Sequence, residues 1–134
     1  MKKGGILHPL LAQAVASLGH GDLLVVADAG LPIPQGPLRI DLAYAPGKPP
    51  FLDVVRAILH EVQIEGVVLA QEMKEKSPEL HHKLAQILEG SVASEAIYVP
   101  HERFKELTAE AKAVVRTGEF TPYANVILRA GVVF

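Results

Sequence analysis

The fold of this 134-residue chain is decided by one stretch near its start, LGHGDLLVVADAG, which covers residues 18–30. Its centre, Leu23–Ala27, is a continuous apolar run, and such a run is typical of a strand buried on both faces. The glycine-flanked His20 precedes this strand, and Asp28 follows it directly. The stretch therefore predicts a buried strand of an α/β fold with a polar segment at each end.

Outside this stretch, helical patterns alternate with further apolar runs. Pro9 suits a first helical position, Gly19 offers a stop, and Ser77-Pro78 has the form of an N-cap followed by a first-turn proline. The predicted helices cover 9–18, 51–62, 78–89 and 101–112, and the further predicted strands cover 66–70, 95–99, 113–116 and 126–133. No repeat or linker interrupts them, so we expect one compact α/β domain over residues 1–134.

Composition excludes several classes of protein. The formal net charge is only −2 and the charges are dispersed, so neither nucleic-acid nor membrane binding is indicated. The absence of cysteine excludes a disulfide framework, a thiolate nucleophile and a zinc finger. No apolar run is long enough for a signal peptide after the first lysines or for a membrane span, so we expect a cytoplasmic location.

Three polar segments hold the candidate functional residues. His20 lies between two glycines that let the backbone turn tightly, although it also fits a helix C-terminus stabilised by the helix dipole. Asp28 lies at the carboxyl end of a buried strand, where open α/β sheets place ligands, although it could instead cap the next turn.

The third segment is Thr121-Pro122-Tyr123-Ala124-Asn125, a loop before the last strand. Its tyrosine and asparagine offer an apolar ring and hydrogen-bonding groups suited to a sugar, but the loop is also compatible with an ordinary turn. His101 and Lys105 are four residues apart and share one helix face, which fits either a site or a solvated surface.

No cofactor or metal motif is present in the chain. The Gly-His-Gly segment precedes a strand, so it is not a dinucleotide fingerprint, and neither a Walker run nor a Gly-x-Ser-x-Gly elbow occurs. His81 and His82 diverge on a helix, and His60-Glu61 lacks a second histidine at metalloprotease spacing. His20, His101 and Asp28 remain a less favoured two-histidine, one-carboxylate metal set, so we predict no metal.

Taken together, these segments closely resemble the D-ribose pyranase family, whose relatives are the L-fucose mutarotases. The resemblance covers essentially the whole chain and is densest at residues 2–4, 18–22, 28–34, 39–41, 101–105, 115–119 and 122–128. Fucose mutarotases tend to carry a histidine near Gly30 and a glycine in place of Ala124, and this chain follows the ribose pattern at both places.

The resemblance implies a single three-layer α/β domain with a mostly parallel sheet flanked by helices. It implies an isomerase, a D-ribose pyranase that interconverts pyranose and furanose forms of D-ribose and supplies furanose to a ribokinase. It implies proton transfer by the catalytic residue His20, assisted by Asp28, and substrate binding by Asp28, His101, Lys105, Tyr123, Ala124 and Asn125. It further implies a homodecamer of two stacked pentamers with sugar sites at subunit boundaries.

Ring opening moves protons but no electrons and breaks no carbon–carbon bond, so we expect no cofactor. Histidine suits this chemistry because its unperturbed pKa lies near neutrality. The alternatives are a mutarotase for fucose or galactose, a non-catalytic sugar-binding ring associated with ribose uptake, and a metal-dependent isomerase that makes a ketose.

Overall fold

The computed structural model describes all residues, 1–134, as six strands and five α-helices. The strands are β1 (Leu23–Ala27), β2 (Leu38–Asp41), β3 (Ile64–Ala70), β4 (Ile97–Val99), β5 (Ala113–Arg116) and β6 (Val126–Ala130). The helices are α1 (Pro9–Ala16), α2 (Phe51–Glu61), α3 (Gln71–Lys76), α4 (Pro78–Glu89) and α5 (His101–Leu107), and α5 continues as a 3₁₀ turn over Thr108–Glu110.

All six strands form one sheet in the order β2-β5-β1-β6-β3-β4. The pairs β2–β5, β5–β1 and β3–β4 are parallel, whereas β6 is antiparallel to both of its neighbours, β1 and β3. Five strands therefore run in one direction and β6 alone runs in the other. The prediction of a mostly parallel sheet flanked by helices is confirmed in this mixed form.

Helices cover both faces of the sheet, but unequally. On one face α1, α2 and α4 pack against the sheet around a core of 22 buried residues. On the other face α5 supplies Phe104 to a core of eight buried residues, which includes Val25, Ala27 and Val114 of the sheet. Val25 and Ala27 thus face the core opposite to that of Leu24 and Val26, which explains why β1 is apolar at every position.

The apolar stripe of α2 fixes this helix on the larger core. Phe51, Val54, Val55 and Ile58 recur at helical spacing and are all buried, three of them completely. Complete burial of a phenylalanine side chain stabilises the fold by about 2–3 kcal/mol. The N–H of Phe51 donates to the Glu119 carboxylate over 3.0 Å, so a loop residue satisfies the start of the helix.

Two elements were absent from the sequence prediction. Strand β2 is exposed at three of its four positions, and only Ile40 is buried, so the sequence carries no apolar run there. Helix α3 has the sequence QEMKEK, in which only Met73 is buried. Both elements are held by their neighbours in the fold, through pairing with β5 and packing on α4 respectively.

Several predicted element ends also differ from the structure. Helix α1 ends at Ala16, before Gly19, and α5 gives way to a 3₁₀ turn at Thr108, whose hydroxyl donates to the carbonyl of Lys105 over 2.6 Å. The expected strand over 126–133 ends at Ala130 because no strand pairs with the residues beyond it. Ser77 precedes α4 as predicted, but its hydroxyl donates to the carbonyl of Pro122 over 2.6 Å and makes no cap bond.

None of the helices is both long enough and apolar enough to span a bilayer.

Candidate functional site

The topology brings four predicted site residues to one edge of the sheet. Asp28 follows the carboxyl end of β1, His101 follows β4, and Tyr123 and Asn125 precede the antiparallel strand β6. Because β6 runs opposite to its neighbours, its first residue lies at the edge where β1, β3 and β4 end. We call Asp28, His101, Tyr123 and Asn125 the carboxyl-edge cluster.

Asp28 and Asn125 hold each other through two hydrogen bonds. The backbone N–H of Asp28 donates to Oδ1 of Asn125 over 2.8 Å, and Nδ2 of Asn125 donates to Oδ2 of Asp28 over 3.1 Å. The other carboxylate oxygen of Asp28 accepts from the N–H of Gly30 over 3.0 Å, so the turn-capping interpretation is also met. The carboxylate is therefore fixed in position while Asp28 remains partly exposed.

Tyr123 and His101 form the second half of the cluster. Their rings meet edge to face with centroids 5.0 Å apart. Tyr123 has a φ of +60°, a left-handed conformation that is rare for a bulky side chain and is more often found at binding sites than elsewhere. Nδ1 of His101 is buried and has no hydrogen-bond partner in the chain. Such a buried imidazole nitrogen without a partner is uncommon in a folded chain.

Lys105 and Ala124, the other predicted binding residues, differ in their accessibility. The ammonium group of Lys105 lies 2.9 Å from the carboxylate of Glu102, and this hydrogen bond lowers the pKa of Glu102 below its usual value. Ala124 is completely buried in the larger core, and so is Asn125 beside it. Because they are buried, Ala124 and Asn125 cannot contact a sugar directly in the single chain. Asn125 lies behind Asp28 and holds it in place through hydrogen bonds.

Two glutamates at this edge were missed by the sequence prediction. Glu72 follows β3, and both of its carboxylate oxygens accept from the backbone N–H of His101 over 3.1 Å, which stabilises the start of α5. Glu119 follows β5 and accepts from the N–H and the hydroxyl of Thr121, in addition to the start of α2. They fix the loops that carry His101 and Tyr123, and no sequence pattern indicates this because their partners are distant along the chain or lie in turns.

An arginine and an aspartate extend the polar edge beyond β1. Nε of Arg116 donates to the carbonyl of Ala29 over 2.9 Å, and its guanidinium also contacts both carboxylate oxygens of Asp41 at 3.2 Å. Burial raises the pKa of Asp41, but the N–H of Ala43 and the Arg116 guanidinium outweigh it, so the pKa lies below its usual value. Asp41 is therefore an ionised anchor for Arg116 at neutral pH.

His20 lies at the opposite edge of the sheet from the carboxyl-edge cluster. It precedes β1, whereas Asp28 follows β1, and the five residues of this strand separate the two loops by about 17 Å at about 3.3 Å per residue. The histidine is not a helix cap, because α1 ends at Ala16 and Ser17 caps it. The alternative metal set of His20, His101 and Asp28 is not assembled within one chain.

The partner of His20 is Glu65, near the start of β3. Nε2 of His20 lies 3.0 Å and 3.2 Å from the two carboxylate oxygens of Glu65. The His20 side chain is 59% exposed, so its imidazole is available at the surface of the chain. We call His20 and Glu65 the amino-edge dyad.

The loop that carries His20 is held by a neighbouring aspartate. The carboxylate of Asp22 accepts from the N–H of Gly19 over 2.7 Å and lies 3.2 Å from the ammonium group of Lys112. These contacts lower the pKa of Asp22 below its usual value, the hydrogen bond from Gly19 most of all. Asp22 is thus ionised at neutral pH and fixes the turn around His20.

The main surface cavities of the single chain lie away from the carboxyl-edge cluster. Four surface cavities of about 250 to 590 Å³ are lined by residues other than the cluster. A cavity of about 490 Å³ between α4 and β4 is mainly apolar and includes Leu69, Leu88 and Tyr98. The cluster is the stronger candidate for a sugar site than this cavity, because it combines fixed polar groups, backbone strain and an unpartnered imidazole nitrogen.

One pH effect follows from His81, which lies outside both edges. Its Nε2 contacts the Tyr98 hydroxyl at 2.6 Å, and burial, together with the nearby Lys74 and His82, lowers the pKa of His81 below its usual 6.5. Near pH 6.5 the histidine is therefore more often protonated in the unfolded chain than in the folded chain. We expect the free energy of unfolding to decrease as the pH falls below about 6.5, and His81→Gln to remove part of this decrease.

Urea denaturation at about pH 7.5 and about pH 5.5 measures the effect. His60→Gln is the matched control, because His60 is also an exposed helical histidine but is not among the groups that lower the pKa of His81. An equal loss of stability in the wild type and in His81→Gln would contradict the assignment to His81.

Comparison with known proteins identifies the family. A model of the RbsD / FucU transport protein family matches residues 1–133. A D-ribose pyranase of Psychromonas ingrahamii is 54% identical over 138 residues, which cover the whole of both chains. This chain therefore belongs to the RbsD / FucU family, and the resemblance stated from the sequence is confirmed.

Two solved structures agree with this assignment. The structure of Bacillus subtilis RbsD complexed with D-ribose has a TM-score of 0.93 and 50% sequence identity, with complete coverage of both chains. The fucose mutarotase of Streptococcus pneumoniae in complex with L-fucose has a TM-score of 0.79 and 26% identity, with coverage of 96% of this chain and 95% of that one. The greater similarity lies on the ribose side of the family.

Proposed function

We propose that this protein is a D-ribose pyranase, an isomerase that interconverts the pyranose and furanose forms of D-ribose. The observation that carries the proposal is full-length similarity to a D-ribose pyranase at 54% identity. The fold similarity to a ribose-bound relative, with a TM-score of 0.93, supports the same substrate. The fucose mutarotase is only 26% identical, so the ribose assignment is favoured over the fucose one.

The reaction requires two proton transfers around one ring opening. A base removes the proton of the anomeric hydroxyl, the bond from C1 to the ring oxygen breaks, and an acid protonates that oxygen to give the open aldehyde. A different hydroxyl of the sugar then attacks the aldehyde carbon. The proton transfers run in reverse, and the ring of the other size is formed. A positioned acid–base group accelerates such steps by about 10²- to 10⁴-fold.

The complete site is proposed to form between two subunits. The carboxyl-edge cluster of one subunit would bind the sugar, and His20 of a neighbouring subunit would reach it. Two observations support this arrangement: His20 and Asp28 lie at opposite ends of β1 in one chain, and the His20 side chain is 59% exposed. We propose the homodecamer of two stacked pentamers as the assembly and the cytoplasm as its location.

Each residue of the site has a role in this proposal. The Asp28 carboxylate, held by Asn125, would accept hydrogen bonds from sugar hydroxyls or orient the imidazole of His20. The ring of Tyr123 offers an apolar face and a hydroxyl to the sugar, and His101, whose ring packs edge to face against it, would hold that ring in place and bind the sugar. Lys105 would leave Glu102 to donate to the sugar, and Ala124 would shape the turn between Tyr123 and Asn125.

Exchange between ribose ring forms tests the function directly. We expect proton NMR exchange spectra of equilibrated D-ribose to show cross-peaks between pyranose and furanose anomeric signals only when the native protein is present. The heat-denatured protein serves as the control. Sharp ribose signals together with exchange in fucose or galactose would identify a mutarotase for another sugar. Ribose binding without any exchange would favour a non-catalytic sugar-binding ring.

A further inference from the structure

We propose that Glu65 is a positioning residue for His20. Its carboxylate holds the neutral imidazole in the Nε2–H form and leaves Nδ1 as the nitrogen that accepts and returns the proton of the sugar. This role rests on the proposed function, because it assumes that His20 carries out the proton transfer. Glu65 is 45 residues from His20 in the chain, and no sequence motif connects the two.

The hydrogen-bond geometry of the amino-edge dyad determines the tautomer. Both carboxylate oxygens of Glu65 lie within 3.2 Å of Nε2 of His20, and Nδ1 has no hydrogen-bond partner in the chain. An ionised carboxylate can only accept hydrogen bonds, so in the neutral imidazole the proton must be on Nε2. The lone pair of Nδ1 is then free and exposed at the surface that would meet a neighbouring subunit.

The backbone of β3 aims the Glu65 side chain toward His20. Ile64 pairs with Ala130 and Gly66 pairs with Arg129, which are consecutive in β6. Glu65 is therefore an extra residue in β3 and has no pairing partner in β6. Such a β-bulge bends the strand and redirects a side chain, and bulges are over-represented beside active sites. The direction of the Glu65 carboxylate is thus set by the register of the sheet.

The side chain of Glu65 is also held from two sides. The guanidinium of Arg129 lies 3.2 Å from Oε1 of Glu65 and passes over Gly66, where an added Cβ would stand 3.4 Å from Nε of the arginine. On the other side, a Cβ on Gly131 would come within 3.0 Å of Cβ of Glu65. The absence of side chains at Gly66 and Gly131 leaves room for this arrangement.

The backbone around His20 is fixed to the end of β6 as well. The N–H of Gly21 donates to the carbonyl of Ala130 over 2.8 Å, and the N–H of Ala130 donates to the carbonyl of Asp22 over 2.9 Å. Both members of the dyad are therefore fixed relative to one strand. An exposed pair of this kind contributes about 0–1 kcal/mol to stability, so orientation of the imidazole accounts for the arrangement better than stabilisation does.

The tautomer can be measured in the wild-type protein. Long-range ¹H–¹⁵N correlation spectra of uniformly ¹⁵N-labelled protein, recorded at a pH where His20 is neutral, distinguish a protonated from an unprotonated ring nitrogen. We expect Nε2 of His20 to carry the proton, with the signals assigned by their loss in His20→Gln. A proton on Nδ1 would overturn the proposal, and this measurement requires no variant of Glu65.

The variant Glu65→Gln tests the consequence for catalysis. A glutamine amide can donate or accept, so it no longer excludes the Nδ1–H form, and we expect a mixture of tautomers. We expect kcat for ribose exchange to fall by about 10- to 100-fold, the range found when groups that orient a functional histidine are removed, with KM changed by less than about twofold. Unchanged kcat with an unchanged tautomer would overturn the proposal.

The matched control is Glu79→Gln, which removes an exposed ion pair with Lys83 that involves no histidine, and we expect wild-type exchange from it. Failure of the proposed function would look different from failure of this inference. A wild-type protein with the Nε2–H form at His20 but no ribose exchange would support the control of the tautomer by Glu65 and count against the pyranase.

Discussion

His20→Ala is expected to reduce the exchange between pyranose and furanose ribose by about 10²- to 10⁴-fold, the contribution of one positioned acid–base group. The structure supports a selective loss, because the His20 side chain is 59% exposed and contacts only Glu65 by hydrogen bonding. The fold should therefore persist, with a stability change within about 1 kcal/mol. The NMR exchange assay and the oligomer mass of the variant are the two measurements.

Mixed assemblies test where the second half of the site comes from. Asp28→Asn keeps the shape of its side chain but removes the charge. Like His20→Ala, this variant alone is expected to be inactive in ribose exchange. We assume that each site uses His20 of one subunit and Asp28 of another. In a co-expressed mixture, the first subunit retains His20 with a probability of about one half, and the second retains Asp28 with the same probability. Activity should therefore be restored at about a quarter of the sites. Full activity of His20→Ala alone, or no recovery in confirmed mixed assemblies, would contradict the proposal.

Gly118→Ala is expected to have the largest effect on stability. A methyl group at Gly118 would overlap the backbone carbonyl of Lys48, and neither backbone segment can move aside without breaking its own hydrogen bonds. The N–H of Gly118 donates to the carbonyl of Pro49 over 3.0 Å, and its carbonyl accepts from Gly47 over 2.6 Å. We expect a loss of about 3 kcal/mol or more and a decrease of about 10 °C in Tm.

Gly118→Ala is also expected to disturb the loops at the carboxyl edge of the sheet. Thr117, which precedes Gly118, donates through its hydroxyl to the carbonyl of Ala27 over 2.7 Å, and the carbonyl of Glu119 accepts from Ala29 over 2.9 Å. Thermal unfolding and ribose exchange should therefore both be impaired. Gly4→Ala is the control, because a Cβ there would meet no atom within 4 Å. A Gly118→Ala protein as stable as Gly4→Ala would show that the loop around Lys48 gives way easily.

The sequence predicted the elements whose apolar residues form a recognisable run or stripe along the chain. Strand β1 is buried on both faces and α2 carries a continuous apolar stripe, and both patterns are visible in the residues alone. Strand β2 escaped prediction because three of its four residues are exposed and its pairing with β5 is a long-range contact. The apolar residues after Ala130 suggested a longer strand, but strand formation depends on a paired neighbour, which the sequence does not reveal.

The site residues that follow from a local sequence pattern could be predicted, whereas those that depend on long-range contacts could not. Asp28 could be placed because the carboxyl end of a buried strand is a general location for ligand sites. The separation of His20 from Asp28 could also be anticipated, since they lie at opposite ends of one strand. Glu65 could not be found, because its role depends on a β-bulge and on a contact that crosses the sheet. The support that Asn125 gives to Asp28 likewise requires the antiparallel direction of β6.

The position of β6 in the sheet has a consequence for synthesis on the ribosome. It is the last strand in sequence, yet it lies between β1 and β3 and is the only link between the β2-β5-β1 half of the sheet and the β3-β4 half. Until Val126–Ala130 has left the exit tunnel, the emerging polypeptide has two unjoined half-sheets, each with an unpaired inner edge. The native sheet therefore forms only after β6 is available, and a partly synthesised chain would have unpaired strand edges of the kind that favour aggregation.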